Sequence, residues 1–165
     1  MARSRILILM GSVSDLPAFE EARALLTKFR IPFEIQVLSA HRTPRALRKK
    51  IETLPESVGV VIAAAGGAAH LAGVVAAHTL RPVIGVPMPS ALKGVDSFVS
   101  TQQMPAGIPV ATMSIGKAGA TNAALLAAQI LSLNDVSLRP KLARHRKSLG
   151  AAVRKANRKL RRSKR

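Results

Sequence analysis

The chain contains no cysteine, no tryptophan and no tyrosine, and only four phenylalanines. Without cysteine there is no disulfide framework, no thiolate nucleophile and no thiolate metal site. With so few aromatics there is little for nucleobases or a flavin ring to stack on. Acidic residues number eight, and the four histidines (41, 70, 78 and 145) show no close ligand spacing, so no metal site is expected. The Gly-x-Ser-x-Gly elbow of serine hydrolases is missing. No stretch approaches the ~20 consecutive apolar residues of a membrane helix. The short apolar run after Arg5 reaches Asp15 without a small-residue cleavage site, and so reads as a strand rather than a signal peptide. The expectation is a soluble, cytoplasmic protein without membrane contact.

What is present suits one hydrophobic core: 165 residues, 48% of them hydrophobic. The net charge of +18 resembles a nucleic-acid signal until it is divided along the chain. Residues 1–134 hold 13 basic against 7 acidic residues, and residues 135–165 hold 13 against one. The body, at +6, is only moderately basic, which suits an anionic small molecule. The division is read as a domain over 1–134 and a basic amphipathic helix over 135–165. Leu138, Leu142, His145, Leu149, Val153, Ala156 and Leu160 form one helical stripe in that tail, with Lys and Arg on the remaining faces.

The body alternates strand and helix. "RILILM" (5–10), a continuous apolar run expected to be buried on both faces, "PFEIQVL" (32–38), "VGVVIAAA" (58–65), "PVIGVPM" (82–88) and "IPVATM" (108–113) read as strands. Helices are predicted over 16–29, from Pro44 with Thr43 as its cap, over 68–80, over 95–103 and from Gly116 onward. Five strand-helix units point to an α/β parallel sheet with helices on both faces. Ligands in such sheets bind beyond the carboxyl ends of the strands. "GSVSD", "SAHRTP", "AGGAAH", "PSALKG" and "IGKAG" all follow strands, so they should gather on one edge.

Each loop has its own chemistry. In "GSVSD", Gly11 permits a tight turn, and Ser12, Ser14 and free helix amides suit a phosphate or carboxylate. Asp15 suits a ribose diol, or simply caps the helix. In "SAHRTP", Arg42 suits a phosphate beside Ser39. His41 can move protons near neutral pH, though a lone His-Arg pair is more often a plain polar loop. In "AAAGGAAH", small side chains let a ligand lie against the backbone. Close helix-sheet packing explains the alanines equally well, but not His70. "IGKAGATNAALLAAQ" imitates a phosphate loop and fails twice. Ala111 replaces the first glycine, and Ala118 stands where Ser or Thr must hold magnesium. Lys117 and Asn122 remain candidates to line a site.

"MGSVSD", "SAHRTP", "AGGAAHLAGVVAAHT", "PVIGVPM", "LKGVDS" and "QMPAGIPVATMSIGKAGATNAALLAAQIL" together resemble the class I 5-(carboxyamino)imidazole ribonucleotide mutases of purine biosynthesis. The match runs in order from residue 5 to about residue 132. The resemblance implies a three-layer flavodoxin-like fold, a homo-octamer with shared active sites, and no metal, ATP or biotin cofactor. It implies transfer of a carboxyl group from the exocyclic nitrogen to carbon 4 of an anionic imidazole ribonucleotide. Residue by residue, it implies His41 as the catalytic proton carrier. Ser12 and Asp15 match binding positions in the first loop, and Ser39 and Arg42 in the second. Gly67, Ala68, Ala69, His70 and Leu71 match the segment on which the imidazole and its carboxylate lie.

Two other readings compete. The same fold can act as a carboxylase that joins free carbon dioxide to aminoimidazole ribonucleotide. From a different class, the basic tail permits weak, salt-sensitive contact with nucleic acid. Family members end in a helix packed on neighbouring subunits, a role that explains the apolar stripe but not the charge.

Overall fold

The computed structural model describes residues 4–162. In chain order its elements are β1 (Arg5–Met10), α1 (Glu20–Phe29), β2 (Phe33–Val37), α2 (Pro44–Glu52), β3 (Val58–Ala65), α3 (Leu71–Ala77), β4 (Val83–Pro87), α4 (Val95–Gln102), β5 (Ala111–Thr112), α5 (Gly116–Leu131) and α6 (Arg139–Arg162). Turns of 3-10 helix occupy Val13–Phe19 and Val136–Leu138. The strands form one parallel sheet in the order β2-β1-β3-β4-β5, which is the flavodoxin-like winding.

Strand alternation sorts the core into two layers. Ile6, Ile8 and Met10 of β1 join Phe19, Leu26 and Phe29 beneath α1 and α5. Leu7 and Leu9 turn the other way and meet Leu47, Ile51, Leu71 and Val75 of α2 and α3. The β1–β3 pairing slips once, between Arg5 and Ile6. As a result Val58 faces the α2/α3 layer and Val60 faces the α1/α5 layer, with Gly59 as the extra residue of a bulge. A Cβ at Gly59 would lie 2.6 Å from Leu131 Cδ2, so the bulge also lets α5 approach. Ala120, Ala123, Ala124, Ala127 and Ala128 are completely buried, which is why α5 is built from alanine where it crosses the sheet.

Several boundaries differ from the sequence expectation for identifiable reasons. The helix expected from residue 16 begins as the 3-10 turn Val13–Phe19, with Pro17 inside it unable to donate a backbone hydrogen bond. The helix expected over 68–80 shortens to Leu71–Ala77, because Gly67 (φ 64°) and Ala69 (φ 48°) hold the preceding segment in a turn. The fifth strand keeps only Ala111–Thr112 at the sheet edge. The tail is helical from Arg139 to Arg162, and residues 163–165 of it lie outside the described residues. Its root is tied to the body: Leu138 is buried, Lys141 Nζ donates to the Phe29 carbonyl, and the His145 ring meets Phe29 edge-on at 5.9 Å. Beyond Gly150 every residue through Arg161 is exposed.

Gly119 in α5 gives a direct test of this close packing. A Cβ there would fall 1.7 Å from the Ser114 carbonyl oxygen, which belongs to backbone and cannot swing away. Gly119→Ala is expected to destabilise the fold by about 1–3 kcal/mol, as overpacked cores do. Urea unfolding checks this, and an unchanged midpoint would show that α5 has more room than its packing implies.

Candidate active site

Parallel pairing brings the carboxyl ends of β1, β2, β3 and β4 to one edge. The loops that follow enclose a cavity of about 400 Å³. β1 delivers Gly11, Ser12, Ser14 and Asp15 to it. β2 delivers Ser39, Ala40, His41 and Arg42, and the end of β3 with its loop delivers Ala65, Gly66, Ala69, His70 and Leu71. Pro89, just past β4, completes the wall.

Two histidines 29 positions apart in sequence meet here. His41 Nε2 lies 2.7 Å from His70 Nδ1, with the rings edge to face at 77° and centroids 4.8 Å apart. Two ring nitrogens at hydrogen-bond distance need one N–H and one lone pair between them. The contact therefore links the protonation of one ring to the tautomer of the other. It also holds His41 by its ring, although the residue itself is exposed.

Arg42 is braced at both ends. Its guanidinium donates to the Gly11 carbonyl at 2.7 Å, joining the second loop to the first, and its backbone N–H donates to Ser39 Oγ at 3.1 Å. The guanidinium keeps further N–H donors for an anion. Thr43 stands at the α2 cap position, but its hydroxyl does not cap the helix. Instead it accepts from the Ser39 N–H at 2.9 Å and donates to the Ser39 carbonyl at 3.1 Å, clasping the loop that carries His41.

In the first loop Ser12 takes the capping role, accepting from the Ser14 N–H at 3.3 Å and from the Ser14 hydroxyl at 2.8 Å. Asp15 also lines the cavity. Burial pushes its carboxyl above the ordinary value of 3.8, and a backbone hydrogen bond at Ser12 pulls weakly the other way. A half-buried carboxylate in a small polar cavity is suited to accept from neutral hydroxyls.

Gly67 and Ala68 are not among the lining residues. Gly67 supplies the left-handed turn, while the Ala68 carbonyl accepts a hydrogen bond from Ser100 Oγ on α4. Ala69 adopts φ 48°, costly for a residue with a Cβ, and its N–H closes the turn on the Gly66 carbonyl at 3.2 Å. The Ser100 contact anchors this strained turn and so fixes where His70 begins α3. Sequence reasoning did not single out Ser100, Pro89 or Gly66. Pro89 had a visible signal, since it follows a strand as the other site loops do. Lys117 pairs with Glu21 at 3.0 Å, and Asn122 lines a larger, mainly apolar groove between α5 and α6, so neither lines the cavity of His41 and His70. Among the described residues no three of His, Cys, Asp or Glu converge as a metal site.

A family model described as AIR carboxylase matches residues 5–152. The chain belongs to this family. The match carries on 20 residues past the resemblance read from the sequence, into α6. Among curated members, the N5-carboxyaminoimidazole ribonucleotide mutase of Bacillus subtilis (strain 168) is 53% identical over 148 residues, covering 88% of this chain and 91% of its own. The enzyme of the same name from Escherichia coli (strain K12) is 52% identical, covering 88% of this chain and 87% of its own. Among solved structures, Treponema denticola PurE superposes with a TM-score of 0.84 at 31% identity, over 96% of this chain and 99% of its own.

Asp15 yields a test of the family site with two opposite signs. Because its folded pKa is raised, the folded state holds the proton more tightly than the unfolded chain. Stability therefore falls as pH rises from the unfolded value of 3.8 through the raised folded value. Asp15→Asn is expected to raise the melting temperature of the ligand-free protein at pH 7, to leave it nearly unchanged below pH 3.8, and to weaken nucleotide binding. Calorimetry at the two pH values with a binding titration checks all three. A variant that is destabilised at pH 7 yet binds normally would remove Asp15 from the site.

Proposed function

We propose that this protein is a 5-(carboxyamino)imidazole ribonucleotide mutase of purine biosynthesis, with His41 as its proton carrier. The observation that carries the reading is the His41–His70 contact inside the strand-end cavity of a chain about half identical to proteins of that name. The substrate is an anionic ribonucleotide. Arg42, Ser39 and Ser12 take its 5′-phosphate, and Asp15 takes the ribose hydroxyls. The imidazole and its carboxylate lie against Ala69, His70 and Leu71, with Gly67 and Ala68 shaping the turn that presents them.

The chemistry needs one proton moved twice. The carbamate N–C bond breaks, carbon dioxide leaves, and His41 delivers a proton to the exocyclic nitrogen. Carbon 4, enamine-like in the resulting aminoimidazole, attacks the carbon dioxide held beside it, and a C–C bond forms. The same histidine then removes the carbon 4 proton and restores the aromatic ring. Proton in and proton out balance, so no cofactor enters. An imidazole suits both steps because its ordinary pKa, near 6.5, lies close to working pH. His70 Nδ1 holds His41 Nε2 in one tautomer between steps. Small side chains at Ala69 and Ala65 confine carbon dioxide without offering a competing nucleophile, and confinement supplies much of the rate.

The reading extends to a cytoplasmic homo-octamer, with residues 1–134 as the mutase domain and 135–165 as a helical extension. Assembly is supported by Leu149, Val153 and Leu160, each 51–62% exposed along one α6 stripe. The extension also makes a weak, salt-sensitive contact with nucleic acid. A second reading, direct carboxylation of aminoimidazole ribonucleotide, uses the same proton transfer and is favoured by the family's description.

The test is formation of the 4-carboxylate from freshly made carbamate, followed by absorbance without added bicarbonate or ATP. Wild type is expected to turn over. His41→Asn, at an exposed position, is expected to fold and bind nucleotide while losing about 10²–10⁴-fold in turnover. Near-normal turnover in the variant would take His41 out of the chemistry. Product formed only from aminoimidazole ribonucleotide with high bicarbonate would favour the carboxylase.

A further inference from the structure

The terminal part of α6 carries charge that neither the fold nor the mutase site uses. The family match stops at residue 152, yet the helix continues to Arg162. Six of the ten residues 153–162 are basic, and no acidic residue occurs anywhere in α6. Arg154 and Arg158, and Lys155 and Lys159, stand four apart, the spacing at which like charges repel on a helix. α2 manages the same problem with an acid, pairing Arg48 with Glu52 at 2.7 Å. α6 contains no acidic residue that could do the same.

The charges have a direction. At 3.6 residues per turn, Arg144, Lys147, Arg154, Lys155, Arg158 and Arg161 fall within about 120° of arc, on the side opposite the stripe of Leu142, His145, Leu149 and Val153. The stripe starts against the body, where His145 meets Phe29. The basic face is therefore turned outward, and all six of its residues are exposed. From Arg144 to Arg161 it runs about 25 Å. Duplex nucleic acid presents one phosphate charge per ~1.7 Å of axis, or roughly 15 along that length.

We propose that this outward face of α6 is a docking surface for the phosphodiester backbone of duplex nucleic acid, bound without regard to sequence. Backbone binding follows from the residue types. Arg and Lys bind phosphates, whereas the chain has no tryptophan or tyrosine to stack on unpaired bases, and none of its four phenylalanines lies in α6. An anionic membrane is the weaker occupant, because Lys147, Arg154 and Arg158 lie opposite the stripe and would point away from a bilayer that receives it. Docking a second copy of this chain through the basic face lacks charge complementarity, since the body has only seven acidic residues and a net charge of +6. The assignment makes specific the nucleic-acid contact proposed above for the extension, and it depends on no step of the mutase reaction.

The test uses the full chain and a fluorescent mixed-sequence duplex of roughly 20 base pairs, as DNA and as RNA, read by anisotropy across a salt series. The partner variant combines Arg154→Gln, Lys155→Gln, Arg158→Gln and Arg161→Gln. Wild type is expected to bind at low salt, with log affinity falling linearly against log salt. The variant is expected to lose at least tenfold in affinity, with a slope on DNA shallower by about 0.9 for each phosphate contact removed. Equal affinity of the two proteins would overturn the proposal. So would wild-type binding to phosphatidylserine vesicles but to neither duplex, which would assign the helix to a membrane surface. Mutase turnover, measured on the same samples, is expected to be equal in both. If wild type binds duplex but has no turnover, the mutase reading fails and the docking surface stands.

Discussion

β1 pairs in parallel with β2 on one side and β3 on the other, so Met10 lies level with Val37 and with Ala64. That register sets where the next residues go. Gly11 leaves β1 between the end of β2 and the end of β3, at the point where the strand order reverses. The loop after β2 carries His41 and Arg42, and the loop after β3 carries His70. Arg42 reaches the Gly11 carbonyl at 2.7 Å and His41 reaches His70 at 2.7 Å only because all three strands end together. A one-residue slip of β2 would turn its side chains to the opposite face and separate both contacts.

The site built on this register is rigid in its backbone and economical in its side chains. Three loops are locked by short-range bonds: Ser14 onto Ser12, Thr43 onto Ser39, and Ala69 onto Gly66. Ser100 holds the third loop from α4. A strained residue such as Ala69 persists only where its surroundings hold it, and strain of this kind concentrates at functional sites. Reactive groups are few: two imidazoles, one guanidinium and one half-buried carboxylate. In the proposed reaction, proton transfer would need only the imidazoles, and the rest would position an anion and a sugar. Containment of carbon dioxide in that reaction would ask for walls rather than for more functional groups, and the β3 loop is rich in alanine and glycine.

Much of this could be read from the chain. The unbroken apolar run "RILILM" announced a strand buried on both faces, and placing five polar or glycine-rich loops after five strands was enough to put them on one edge. Ser12, Asp15, Ser39, His41, Arg42, Ala69, His70 and Leu71 do line one cavity. The partnership of His41 with His70 was not legible, because it depends on the relative register of β2 and β3 rather than on either loop. Thr43 misled for a related reason: its residue type and the following proline signal a cap, but tertiary geometry gave its hydroxyl a better use on Ser39. The bulge at Gly59 and the contraction of β5 to two residues likewise arise from packing against α5 and from a sheet edge, which local sequence does not encode.

In the proposed reaction the carboxyl group never leaves the site between its two bonds. Carbamate substrate labelled with ¹³C in the carboxyl group, turned over in excess unlabelled bicarbonate, tests that most directly. Retention of the label in the 4-carboxylate product, read by mass spectrometry at early turnover, is the predicted result. Unlabelled product would contradict it, because its carboxyl carbon would then have come from the bulk bicarbonate rather than from the carbamate.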